Sequence, residues 1–104
     1  MDQRIEVICG DAIDQMRLLE SESIDLVVTD PPYNLKKDYG STKDSLSFDD
    51  YIQFSREWLH EAYRVLKPHG SIYVFRGMQY ISYIYQILDQ ELGMTFNSWI
   101  SWFY

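Results

Sequence analysis

Residues 27–35, VVTDPPYNL, decide how this sequence folds, because they join an apolar run to an acid, two prolines and an aromatic residue. The apolar run starts at Ile24 and is too continuous for a strand with one wet face. It predicts a strand that is covered on both faces. Pro31 and Pro32 fix φ and have no N–H, so this strand is predicted to end on the carboxylate of Asp30.

Apolar periodicity on both sides of this stretch predicts an alternation of strands and helices. That order is typical of an α/β domain with a largely parallel sheet. Pro68 and Gly70 are predicted to stop the longest helix and turn the chain, and Gly93 to end the last helix. The predicted strands are 5–9, 24–29, 71–75 and 96–104, and the predicted helices are 10–20, 48–66 and 78–92.

Composition limits the classes of protein that this chain can be. Its 104 residues allow one domain or part of one, and 46% hydrophobic residues are enough for a core. The single cysteine, Cys9, excludes an internal disulfide and is expected to be a core residue. No signal peptide and no apolar run of about 20 residues is visible, so a cytoplasmic protein without a membrane anchor is expected. The net charge of −7 counts against direct phosphate binding by this segment.

Two acids follow predicted strands. Asp11 comes after strand 5–9 and Asp30 after strand 24–29. Ligands of open α/β sheets bind beyond the carboxyl ends of the strands, so both acids are expected at one edge. Asp11 is also a candidate N-cap for the helix after it, and both roles are expected together.

The sequence Asp30-Pro31-Pro32-Tyr33 suits a planar ligand that carries an NH₂ group. The proline carbonyls and the Asp30 carboxylate accept hydrogen bonds, while Tyr33 offers a stacking face. Two acceptors on the two amine hydrogens would turn the nitrogen lone pair toward an electrophilic methyl group, and Asp30 would take the proton that is shed. A base in a duplex must be flipped out to reach such a pocket.

The segments TDPPYN at 29–34, CGDA at 9–12 and LKPHGSIYVF at 66–75 together resemble the S-adenosylmethionine-dependent DNA adenine N6-methyltransferases of restriction–modification systems. The resemblance implies a Rossmann-like methyltransferase sheet, here partial with about four strands, and double-stranded DNA as the partner. It implies that the catalytic residues are Asp30, Pro31, Pro32 and Tyr33. The residues that contact S-adenosylmethionine would be Asp11, Ala12, Asp30 and Pro31. An Asp at position 30 favours adenine, since the cytosine N4 enzymes more often have Ser there.

The glycines, at positions 10, 40, 70, 77 and 93, do not form the Phe-x-Gly-x-Gly cofactor loop of that family. The resemblance places this loop and the target-recognition region after residue 104, so residues 1–104 are interpreted as a partial catalytic domain. Strand 5–9 would then lack its sheet neighbours, and unpaired strand edges invite pairing. One of three outcomes is expected: pairing of strand 5–9 with strand 24–29, a homodimer, or a complementing methyltransferase half.

Other interpretations stay open at this stage. The chain could be a non-catalytic remnant or subunit, and the acceptor could be cytosine N4, an RNA base or a protein amide. The loop lysines could contact phosphate or simply be solvated. Trp58 is expected in the core, and Trp99 and Trp102 in a core or an interface. His60 and His69 lack metal-ligand spacing, so no metal site is predicted. The loop lysines are Lys36, Lys37 and Lys43.

Overall fold

The computed structural model describes residues 4–32, 37–39, 42–44, 46–76 and 79–101. A parallel pair of strands, β1 (Ile24–Thr29) and β4 (Leu66–Val74), lies beside a long helix, α2 (Phe48–Val65). A short helix, α1 (Ala12–Arg17), packs on α2. After β4 come α3 (Ile81–Gln86) and a π-helical turn, Ile87–Glu91. The predicted α/β class is confirmed in this coarse form.

The sheet has fewer strands than the sequence predicted. In the described residues, β1 pairs with β4 in a two-stranded sheet, and a separate antiparallel hairpin joins β2 (Lys37–Tyr39) to β3 (Thr42–Asp44). The prediction of about four strands in one sheet is therefore wrong for the described chain. The hairpin contains Lys37 and Lys43, two of the three lysines that were predicted to lie in a loop.

Two predicted strands are absent from the described residues. Segment 5–9 forms no strand, and Ile5 and Val7 are 92% and 91% exposed. Segment 96–101 forms none either. Trp99 is 60% exposed, so it is not a core residue of the described chain, and its predicted place in an interface stays a prediction. Trp102 lies outside the described residues. Cys9 is exposed and not a core residue. Neither segment pairs with β1 or β4, so the predicted pairing of strand 5–9 with strand 24–29 is not seen in the described residues.

Helix α2 organises the core. Ser47 caps it by accepting from the Asp50 N–H at 3.2 Å, as serine at an N-cap is expected to do. Its buried side chains recur every three or four residues and face the sheet, α1 and the last helix. Trp58 is 5% exposed, which confirms its predicted place in the core. The core cluster consists of Ile13, Trp58, Leu59, Ile84 and Ile87.

Helix α1 is held at both ends. The Asp11 carboxylate accepts from the Asp14 N–H at 3.0 Å, which confirms the predicted N-cap. At the other end, Arg64 of α2 donates to the carbonyls of Met16 and Leu19 at 2.7 and 3.0 Å. The Met16 carbonyl also accepts from the Leu19 N–H at 3.0 Å, so the guanidinium adds a second donor at this helix end and ties α1 to α2.

Helix α2 ends at Val65, close to its predicted end at Leu66, but the chain then enters β4 directly, so Pro68 and Gly70 lie in the strand and not in the predicted turn. Ile24 pairs with Leu66 and Leu26 with Ser71, so residues 67–70 form a bulge in the ladder. A bulge accommodates extra residues without ending the pairing. Gly93, in contrast, has φ +67° just after the π-helical turn, which confirms its predicted place at the end of the last helix.

We expect Gly70→Ala to destabilise the protein by about 1–3 kcal/mol, because the bulge leaves no room for a methyl group. A Cβ there would lie 3.0 Å from the Asp25 carbonyl oxygen and 2.9 Å from a Leu66 methyl group. The matched control is Gly10→Ala, whose methyl group would meet only the flexible end of Gln15. Urea unfolding of both variants checks this, and equal midpoints would contradict a close-packed bulge.

An ion pair joins α2 to the π-helical turn. Arg56 donates to both Glu91 oxygens at 2.8 and 3.0 Å, and His60 lies 3.4 Å from the same carboxylate. The Arg56 hydrogen bond lowers the pKa of Glu91, and the same bond raises the pKa of Arg56. Both side chains are more than a third exposed, so the pair stabilises the fold only weakly.

Glu91→Gln is therefore expected to lower the free energy of unfolding by about 0.5 kcal/mol at neutral pH. Because the folded-state pKa of Glu91 is lowered, the ion pair stabilises the fold above the unfolded pKa of about 4.3. This stabilisation is lost as the pH falls through the folded pKa. The urea midpoints of Glu91→Gln and the parent protein should therefore become equal at acidic pH. Glu57→Gln removes the same charge at a position on α2, and its urea midpoint should not approach that of the parent as the pH falls.

One face of the parallel pair packs on the core and the other faces solvent. Ile72 and Val74 pack against the core cluster, as alternation along a strand requires. The opposite side chains form what we call the outer sheet face: Leu26, Val28, Tyr73 and Phe75, each about half exposed. An apolar face of this kind is typical of a surface that another polypeptide covers.

None of the helices in the described part of the chain is long and apolar enough to cross a membrane.

Candidate active site

Asp30 lies at the carboxyl end of β1, where the sequence predicted it. The preceding carbonyl, of Thr29, accepts from the Phe75 N–H at 2.9 Å, which extends the pairing with β4 up to Asp30. The Asp30 side chain is exposed. The Asp30 carboxylate is therefore open to solvent, while the hydrogen bond at Thr29 fixes the backbone directly before it.

The two prolines after Asp30 differ in their surroundings. Pro31 is buried, whereas Pro32 is exposed. The carbonyl of Pro32 accepts a hydrogen bond from the Tyr51 hydroxyl of α2. The expectation that both proline carbonyls are left for a ligand is thus wrong for Pro32, one of whose lone pairs is already used. Tyr33 lies outside the described residues, so its predicted stacking role stays a prediction.

Tyr51 belongs to a cluster of rings around a cation. It is 1% exposed, and its ring centroid lies 4.6 Å from that of Tyr80. The Arg76 guanidinium carbon lies 5.1 Å from the Tyr51 ring centroid and 5.0 Å from that of Tyr80. These distances are within the range of cation–π attraction. Arg76 follows β4 just as Asp30 follows β1, so the cluster supports the same edge of the sheet.

The structure separates the predicted cofactor residues into two groups. Asp30 and Pro31 lie at the end of β1, whereas Asp11 and Ala12 lie at the start of α1, and both of the latter are exposed. Because segment 5–9 is not part of the sheet, the sheet does not place Asp11 at the same edge as Asp30. The prediction that one sheet edge carries both acids is therefore not supported by the described chain.

The sequence did not identify the residues that support the Asp-Pro-Pro segment. None of Tyr51, Arg76 and Tyr80 was singled out as a functional residue. Two signals were available. A tyrosine on a buried stripe needs a partner for its hydroxyl, and Arg76 directly follows a strand end at the predicted ligand edge.

A DNA methylase family profile matches residues 24–104, which include Asp30, both prolines, Tyr51 and Arg76. The chain belongs to the DNA methylase family. The match covers most of the chain and begins at β1, so it includes the paired strands and the site described above. It confirms the resemblance that the TDPPYN segment indicated.

Similar proteins occur in several bacteria. The chain is 65% identical over all 104 residues to the type II methyltransferase M.HpaI of Haemophilus parainfluenzae. It is 32% identical over 88% of its length to the type II methyltransferase M.BamHI of Bacillus amyloliquefaciens. It is 33% identical over 94% of its length to the DNA adenine methyltransferase YhdJ of Escherichia coli K12. The chain spans 32%, 22% and 33% of the lengths of these relatives.

A DNA methylase needs a methyl donor, and the residues present fit part of a site for one. The Asp11 carboxylate uses one oxygen, Oδ2, for the helix cap, and the residue is exposed. At the sheet edge, the Asp30 carboxylate is a second exposed acceptor. Acceptors of this type suit the hydroxyl and amino groups of a nucleoside. Both carboxylates are therefore exposed acceptors of the kind that a nucleoside-type donor needs.

Proposed function

We propose that this chain forms the catalytic part of a site-specific DNA methyltransferase of the restriction–modification type. It would transfer a methyl group from S-adenosylmethionine to the exocyclic amine of an adenine flipped out of double-stranded DNA. One observation carries the proposal: in a DNA methylase chain, Asp30-Pro31-Pro32 ends a strand of a parallel pair and is anchored on both sides. This is where open α/β sheets bind their ligands.

The target amine would be held by Asp30 and Pro31. Tyr51 engages the Pro32 carbonyl, so the Asp30 carboxylate and the Pro31 carbonyl are the acceptors best placed for the two amine hydrogens. Binding both hydrogens turns the nitrogen lone pair away from them, toward the methyl group. Positioning and electrostatics together would then promote attack, and Asp30 would accept the proton that the amine loses. Tyr33 would stack on the flipped base.

S-adenosylmethionine would supply the electrophilic methyl group. We propose that Asp11 and Ala12 contact its nucleoside portion, and that Asp30 and Pro31 face its methyl group. The glycine-rich loop that completes such a site would come from polypeptide outside these 104 residues, together with a target-recognition region that supplies most phosphate contacts. This division agrees with the net charge of −7.

The outer sheet face supports the proposal that more polypeptide completes the fold. Leu26, Val28, Tyr73 and Phe75 expose an apolar surface, and segment 5–9 offers unpaired backbone among the described residues. We propose that a complementing methyltransferase half covers this face, with a homodimer as the alternative. The enzyme would work in the bacterial cytoplasm, on the DNA of the nucleoid.

Adenine is the proposed base because an Asp precedes the two prolines. The relative YhdJ, an adenine methyltransferase by name, is similar over 94% of the chain. Cytosine N4 is the second candidate acceptor. A chain that associates without catalysing transfer is the alternative function, and the exposed apolar surfaces would then serve association alone.

A chimera tests the proposed function. Residues 1–104 would replace the matching segment of M.HpaI, to which they are 65% identical. With tritiated S-adenosylmethionine, the chimera should methylate duplex DNA that contains the recognition site of the host enzyme, and nucleoside analysis should place the label on adenine. A soluble, folded chimera without transfer would support the non-catalytic alternative, and label on cytosine would assign the other base.

Calorimetry on the isolated chain tests the proposed division of the site. Titration of S-adenosylmethionine into these 104 residues should give no detectable binding, because they provide only part of the proposed donor site. Micromolar binding would show that the site is already assembled, either through self-association or through residues not assigned here.

A further inference from the structure

We infer that Tyr51 is a positioning residue for methyl transfer: its hydroxyl, supported by Arg76 and Tyr80, holds the backbone that carries the amine acceptors. This inference rests on the proposed function and assigns a role to residues outside the Asp-Pro-Pro-Tyr sequence.

The backbone of Asp30 and Pro31 is anchored on both sides. On one side, the Phe75 N–H of the segment after β4 binds the Thr29 carbonyl at 2.9 Å. On the other, the Tyr51 hydroxyl of α2 binds the Pro32 carbonyl. Since neither proline has an N–H, carbonyls are the only backbone groups by which this proline pair can be held. Tyr51 therefore supplies one of the two anchors of the catalytic segment.

The anchor itself is rigid. Tyr51 is 1% exposed, and its ring centroid lies 4.6 Å from that of Tyr80 and 6.2 Å from that of Phe54. Arg76 contacts the faces of both Tyr51 and Tyr80, so a cation holds the two rings together. A phenylalanine would fill the same space. The hydroxyl adds a hydrogen bond that links this packed cluster to Pro32.

Positioning is expected to matter because small errors in geometry have large kinetic effects. A displacement of about 1 Å far from the reacting atoms can lower a rate by about 100-fold. The Pro31 carbonyl lies one residue from the Tyr51 anchor. Loss of that anchor would let the acceptor drift from the amine hydrogen, without changing Asp11 and Ala12, which are proposed to contact the nucleoside portion of the methyl donor.

Tyr51→Phe in the chimera tests this role, because it removes only the hydroxyl. We expect the single-turnover rate of methyl transfer, at saturating donor and DNA, to fall by about 10- to 100-fold. The KM values for donor and DNA should stay at parental levels, and the melting temperature should fall only slightly. The matched control is Tyr63→Phe, which makes the same change at an exposed position of α2 and should retain the parental rate.

Two results would overturn the inference. One is a parental single-turnover rate in Tyr51→Phe. The other is a loss of stability with an unchanged rate per folded molecule, which is what a purely structural hydroxyl would give. Arg76→Met keeps a long, unbranched side chain but removes the cation, and it should lower the same rate by a smaller factor. This variant decides between the outcomes if Tyr51→Phe does not fold. An inactive parent chimera would instead count against the proposed function, so the two failures are distinguishable.

Discussion

Asp30→Ala is expected to lower methyl transfer by the chimera by at least about 10³-fold, while DNA binding stays close to the parental level. The substitution removes one of two amine acceptors and the group that takes the proton, and each of these contributions is typically about 10²-fold or more. Asp30 is exposed at the end of β1, so its loss leaves no buried group without a partner. The fold should therefore survive.

The measurement is a pair of assays on the same preparation: transfer of tritiated methyl groups, and DNA affinity by fluorescence anisotropy at a fixed salt concentration. Asp89→Ala is the matched control, because it removes the same charge from an exposed position in the π-helical turn. It should show parental values in both assays. Transfer at more than a tenth of the parental rate in Asp30→Ala would refute the role of this carboxylate.

The sequence predicted the local structure of the site well because local chemistry determines it. Pro31 and Pro32 cannot continue a strand ladder, so β1 had to end at Asp30. An acid before a helical stripe had to act as a cap, and the Asp11 bond to Asp14 confirms it. These predictions depend on neighbours a few residues apart, and they hold whatever lies elsewhere in the fold.

Predictions that depended on distant partners were less successful. Segments 5–9 and 96–101 have strand-like patterns but form no strand in the described chain. Strand propensity expresses the packing of a side chain on a pleated surface, and that surface needs neighbouring strands. The bond from Tyr51 to Pro32 spans 19 positions, and no local pattern in the sequence specifies such a pairing. The cluster of Tyr51, Tyr80 and Arg76 could not be predicted from the sequence for the same reason.

The outer sheet face carries the second large expected effect, seen with Val28→Glu. In the isolated chain, Val28 is 59% exposed, so the charge stays in water and the free energy of unfolding should change by less than about 0.5 kcal/mol. In the chimera, the remaining polypeptide is expected to cover this face. An unpaired carboxylate buried there should destabilise the protein by about 3 kcal/mol or more and abolish methyl transfer.

Val74→Glu is the matched control, since it places the same charge on the opposite face of the sheet. Val74 packs against the core cluster within these 104 residues, so this variant should destabilise the isolated chain and the chimera alike. Urea unfolding of the isolated chains and melting of the chimeras measure both effects. If Val28→Glu left the chimera as stable and active as its parent, the outer sheet face would remain in water in the longer protein. Segment 5–9 would then need a pairing partner that does not pack over β1.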